Sequence, residues 1–201
     1  MNKQIPIYPS RNVENTIMHT LNELLIVATK GAQTTYISLT HFLNYCLSKP
    51  DTEIIYRKGD IILTVKIDAV YIVASKSRSR AARYFYLVNK DGKLFNGNIF
   101  ILDKVIKKVI SSVSESECVG LYMNAQEPVP IKNTLIGLGH LKPLYGTPVR
   151  TYNITANGIL NRTVKPKKPK IMDMIFWWIG DRVLKTQFRI LWTSGNFNLS
   201  K

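Results

Sequence analysis

Lysines and arginines grouped closely enough to act together are the first chemistry this sequence offers. Lys76, Arg78, Arg80 and Arg83 form one cluster between two stretches of strand pattern. Lys165, Lys167, Lys168 and Lys170 form another, inside Val164-Lys-Pro-Lys-Lys-Pro-Lys170. Residues 128–172 hold eight basic side chains and no acidic one. Clustered cations release counterions when they meet a nucleic-acid backbone, so a phosphate-rich partner is expected. Other chemistries are poorly supplied. Cys46 and Cys118 stand far apart in apolar stretches, and His19, His41 and His140 share no close spacing. A zinc site or a nucleophile–histidine pair is therefore not indicated. Taken alone, Asp68 reads as a strand-end acid on a polar face beside Lys66. Glu115 and Glu117 read as first-turn acids that favour a helix dipole.

The chain around these residues has 201 residues, a mass of 22.9 kDa and a formal charge of +15. At 45% hydrophobic and 20% charged it can bury a core, which excludes a wholly disordered polypeptide. No apolar run approaches the roughly 18–20 residues of a membrane helix, and the start, MNKQIPIYPSRN, lacks a signal-peptide h-region. An intracellular protein, neither secreted nor membrane-bound, is expected.

Hydrophobic period supplies the elements. Ile17, Leu21, Leu24, Leu25 and Ala28 recur at helical spacing, as do Ile37, Leu39, Phe42, Leu43 and Cys46. From Glu53 the period shortens. Strands are expected at Glu53–Tyr56, Ile61–Asp68 and Ala81–Val88, with more strand pattern at Lys93–Leu102 and Lys104–Ile110. Asp91-Gly92 marks a hairpin turn. Helical spacing returns at Cys118, Leu121, Tyr122 and Ala125, and Pro128 and Pro130 interrupt or end that helix. A short strand at Val149–Asn153, a small helix from Thr155, a longer helix at Lys170–Lys185 and a strand at Phe188–Thr193 complete the order. A meander followed by alternating helices and strands predicts an α/β mixed sheet of five strands with helices on both faces.

Several runs, in this order, resemble the ribonuclease H region of Ty1/copia-type retroelement polyproteins. They are Val65-Lys-Ile-Asp68-Ala, Ser77-Arg-Ser-Arg-Ala-Ala-Arg-Tyr-Phe85, Ser111-Ser-Val-Ser-Glu-Ser-Glu117, Met172-Asp-Met-Ile-Phe176 and Gly195-Asn-Phe-Asn-Leu199. Upstream, Thr20-Leu-Asn-Glu23 and His41-Phe-Leu-Asn-Tyr45 are similar to the connection that follows the reverse transcriptase in such polyproteins. The resemblance implies a helical segment over 1–52 and a ribonuclease H-like domain over 53–201, cut short before the helix that follows the last aspartate. It also implies cleavage of the RNA strand of RNA/DNA hybrids. In that chemistry two Mg2+ ions, held by four carboxylates, activate a water and stabilise the leaving oxygen.

Carried over position by position, the resemblance makes Asp68 the first-strand carboxylate. Helical geometry does not choose between Glu115 and Glu117, whereas the small residue three positions later, Gly120, favours Glu117. The remaining two positions depart from the family. Its Thr-Asp-Asn is here Thr151-Tyr152-Asn153, and its Asn-Leu-Ala-Asp is Asn198-Leu-Ser-Lys201. Trp177, where the family tends to have histidine, is a further departure. Half of the anionic ligands are missing and one is replaced by a cation, so weak or absent Mg2+ binding and loss of cleavage are expected. The expected partner is an RNA/DNA hybrid or another nucleic acid, bound without being cut. A module whose basic surface serves proteins is the weaker alternative.

Overall fold

The computed structural model describes residues 17–28, 31, 33–48, 53–74, 77–91, 96–108, 110–140, 145–165 and 173–195. The chain divides into two compact units between Tyr56 and Arg57. In the first, helices α1 (Met18–Ala28) and α2 (Gln33–Ser48) bury Ile17, Leu21, Leu24 and Phe42 together, with Leu39 and Cys46 packed against them. None of the described helices is long and apolar enough to cross a membrane.

The second unit is a five-stranded mixed sheet. Its strands are β1 (Ile62–Ala74), β2 (Arg78–Val88), β3 (Asn98–Val105), β4 (Thr147–Thr151) and β5 (Phe188–Trp192). They lie in the order β3-β2-β1-β4-β5. The first three form the expected antiparallel meander, and β4 and β5 run parallel to β1. Helices α3 (Val113–Asn124), α4 (Pro128–Gly137), α5 (Ile154–Leu160) and α6 (Asp173–Leu184) complete the unit.

Alternation along β1 decides which face is apolar. Leu63, Val65, Ile67 and Ala69 share one face and join a core with Cys118, Leu121, Ala156, Leu160, Ile175 and Ile179 of α3, α5 and α6. Thr64, Lys66 and Asp68 project from the other. Gly120 lets α3 lie close to the sheet, because a Cβ there would stand 3.1 Å from that of Ala81 and 3.5 Å from that of Ala69. We expect Gly120→Val to push α3 off the sheet and cost about 1–3 kcal/mol of stability, measured as a lower urea midpoint. An unchanged midpoint would show that the close approach is dispensable.

Several expected boundaries differ from those observed. Residues 53–61 form no strand; Asn96 holds this segment by accepting from Arg57 N–H and donating to its carbonyl. β1 continues past Asp68 to Ala74, with a register shift between Val70 and Ala74. Of the pattern expected over Lys93–Leu102 and Lys104–Ile110, the described residues form the single strand β3, and 93–95 and 109 lie outside them. The prolines do not break a continuous helix: α3 stops at Asn124, and Pro128 occupies the first turn of α4, where a missing N–H costs nothing.

Candidate functional site

β1 and β4 stop pairing after Ile67 and Thr151. The carboxyl of Glu117, reaching over from α3, fills the opening just past that point. Its Oε1 accepts from Ala69 N–H at 3.3 Å and its Oε2 from the Thr151 hydroxyl at 3.3 Å. Glu117 is buried, and burial together with the neighbouring Asp68 charge pushes its carboxyl up to about 8. Asp68 and Glu117 therefore meet, although they lie far apart in sequence.

Glu115 points elsewhere. Its Oε2 accepts from the N–H and hydroxyl of Ser111, and Ser112 caps α3 by accepting from Glu115 N–H. This closes the helix N-terminus much as a capping box does. Two residues past Thr151, Asn153 caps α5 by accepting from Ala156 N–H. Tyr152 lies between β4 and that cap, its carbonyl accepting from the Trp192 indole at 3.2 Å. Tyr152, the position that the resemblance aligns with a third carboxylate, is only partly exposed. Lys201 lies outside the described residues.

These groups do not fit a pair of magnesium ions. Both Glu117 oxygens are already engaged and its carboxyl leans towards the neutral form. Among the described residues no three of His, Cys, Asp and Glu gather where they could hold a metal. Asp181 is occupied with Lys185 at 2.9 Å on α6.

The expected basic clusters separate. Arg78 and Lys165 are exposed, while Lys76, Lys167, Lys168 and Lys170 lie outside the described residues. Arg80 and Arg83 are buried, which revises their assignment to a phosphate-facing surface. Arg80 pairs with Asp103 at 2.6 Å, both side chains nearly inaccessible. Arg83 donates to the Met123 carbonyl, the Asn124 side chain and Glu127, tying β2 to the end of α3 and the start of α4. Trp177 is exposed on α6, with the Arg162 guanidinium 5.4 Å from its ring centre.

Sequence reasoning missed Thr151 as the partner of Glu117 and missed the group formed by Lys66, Tyr84, Tyr86 and Arg150. Lys66 and Arg150 are register partners in the parallel ladder, a relation that no local spacing announces.

No protein-family model matches the chain, and no curated protein matches it. Solved structures do. LC11-RNase H1, isolated from compost by a metagenomic approach, is similar with a TM-score of 0.50 at 9% identity, over 67% of this chain and 86% of that one. The same enzyme in complex with an RNA/DNA hybrid is similar with a TM-score of 0.50 at 11% identity, over 68% and 88%. A foamy viral protease-reverse transcriptase dRH in complex with double-stranded DNA reaches 0.59 at 12% identity, over 96% of this chain and 31% of that one. This chain thus spans about a third of the viral polypeptide. At these identities the likeness establishes the fold: a five-stranded ribonuclease H-like sheet with its helices.

Proposed function

We propose that this chain is the ribonuclease H-like part of a Ty1/copia-type retroelement polyprotein, and that it binds RNA/DNA hybrid or a related nucleic acid without cutting it. One observation carries the loss of cleavage. Asp68 and Glu117 are kept and interact, but the sequence has Tyr152 at the position where the resembled family has a bridging carboxylate. A phenol is neutral near pH 7 and does not bridge two divalent cations. The retroelement origin is supported by the ordered sequence runs and by the likeness to a reverse-transcriptase polypeptide over 96% of the chain. Binding is supported by the +15 charge, and by the hybrid and duplex DNA held by similar structures.

A labelled RNA/DNA hybrid incubated with the purified chain and magnesium or manganese tests both halves. The expected result is an intact hybrid retained on a filter, with retention falling steeply as salt rises. Metal-dependent cleavage abolished by Asp68→Asn would overturn the first half. Binding indifferent to salt, or absent, would overturn the second.

A further inference from the structure

Arg162 stands just past α5 in a backbone conformation that ordinary side chains avoid. Its φ is 60°, in the left-handed region, at the position after the helix cap Asn161 where glycine or asparagine is usual. The turn around it is fixed. The Arg162 N–H donates to the Ile159 carbonyl, and the N–H groups of Thr163 and Val164 and the Thr163 hydroxyl all donate to the Gly158 carbonyl. Strain of this kind persists only where the surrounding structure holds it. Here it accompanies a side chain laid in a defined place.

That side chain lies across α6. Its guanidinium carbon stands over one face of the Trp177 indole, 5.4 Å from the ring centre. Nearly one turn further along the helix it rests against Gly180, where a Cβ would come within 2.8 Å of Nη2 and 3.0 Å of Nε. Any side chain at that position would lift the guanidinium away. Among the described residues no acid forms an ion pair with Arg162, and Asp181, the acid beside Gly180, is held by Lys185 at 2.9 Å. Trp177 is 70% exposed even with the cation over it, so much of the ring is open to solvent. Met174, three positions earlier, is 82% exposed. The core contacts of α6 are made instead by Ile175 and Ile179, which leaves the Trp177 indole without a packing role.

An open aromatic face beside a cation without an acid partner suits a strand with unpaired bases. A duplex keeps its base faces inside the stack, and only an unpaired base can lay its own face on an indole. A guanidinium stacked by its plane still has its N–H edge to offer to phosphate oxygens. The local charge agrees: Lys165 is exposed three positions on, and residues 128–172 hold no acid. We propose that Trp177 and Arg162 form a stacking platform for single-stranded nucleic acid. A base lies on the indole, and Arg162 and Lys165 meet the backbone beside it. The class of ligand rests on the nucleic-acid-binding reading above. The place is a separate one, since neither Trp177 nor Arg162 belongs to the group around Asp68 and Glu117.

Titration with an oligouridylate of about 12 nucleotides, followed by indole fluorescence and by anisotropy of a labelled copy, tests the platform. Stacking should quench the fluorescence of the unaltered chain. Trp177→Phe should lose the quench yet keep most of the affinity, and Trp177→Ala should bind about tenfold more weakly or worse. Arg162→Asn, which tolerates the same φ, should weaken binding and flatten the logarithmic salt dependence by about one unit. Lys107→Gln, which removes an exposed cation elsewhere, should leave the quench unchanged. Gly180→Ala displaces the guanidinium without touching the ligand. It should weaken binding several-fold while melting no lower, because alanine favours the helix; a merely structural stack would move the melting temperature and not the affinity. Oligouridylate bound as tightly by Trp177→Ala as by the unaltered chain would overturn the platform, and salt-sensitive binding of the RNA/DNA hybrid would then leave the binder reading intact. A chain that binds neither probe would overturn both. Quenching by oligouridylate without any binding of the hybrid would overturn the hybrid reading and keep the platform.

Discussion

Glu117→Gln should make the protein more stable above pH 8 and leave it little changed below pH 4.5. In the native protein the Glu117 carboxyl is held up at about 8, against 4.5 for a free side chain, chiefly because it is buried and secondarily because Asp68 is close. A carboxyl whose folded-state value is raised binds its proton more tightly in the native state. Its contribution to stability is therefore complete below about 4.5, erodes between about 4.5 and 8, and is gone above that. Across that window the loss is on the order of 5 kcal/mol. Glutamine keeps the shape and stays neutral. Its oxygen can accept from Ala69 N–H and its amide can donate to the Thr151 hydroxyl, in place of the two bonds Glu117 accepts. Urea unfolding at pH 5 and at pH 8.5 reads the difference directly. Parallel pH dependence in both proteins would show that the carboxyl does not titrate where the burial requires. Millimolar magnesium should move neither midpoint, since the donor set does not suit a pair of metal ions.

Arg83→Met should destabilise the fold by about 3–4 kcal/mol without altering the salt dependence of nucleic-acid binding. The guanidinium is 2% exposed, and burial lowers it to about 10, partly countered by Glu127. Its removal strands the Met123 carbonyl and the buried Asn124 side chain, and cuts the strap between β2 and the junction of α3 with α4. Arg83→Lys should rescue little, because an ammonium cannot reach three acceptors spread over a planar fork. Urea titration gives the stability, and anisotropy on the folded fraction gives the salt slope. A flattened slope at undiminished stability would place Arg83 on a phosphate after all.

Arg83 also marks where sequence reading stops. Arg80 and Arg83 looked like one cluster with Arg78, because charge density along a chain says nothing about which face of a strand each residue occupies. On β2 the two point to opposite sides, and both find partners on elements that local sequence does not identify. The meander was legible, since alternation and a turn signal are local. So was the meeting of Asp68 with a glutamate of α3, though only through the family resemblance. The choice between Glu115 and Glu117 had an overlooked local signal: Ser112-Val-Ser-Glu115 has the spacing of a capping box, which commits Glu115 to the helix end. The pairing of Lys66 with Arg150 had none, because it depends on the register of a parallel ladder whose strands are separated by two strands and two helices.

That ladder sets the order in which the molecule can assemble. The hairpins β1–β2 and β2–β3 close short loops, and α3 follows at once, so this half can form while the rest of the chain is still emerging during synthesis. β4 must return to β1 across all the intervening elements, and β5 can add only to β4. Arg150 therefore cannot stand beside Lys66 until β4 has paired with β1. A nascent or clipped chain that ends before Thr147 would already have its cationic lysine on a formed hairpin, yet no second charge beside it. The two half-buried cations become neighbours only in the finished sheet, so their proximity is withheld from any intermediate that lacks β4.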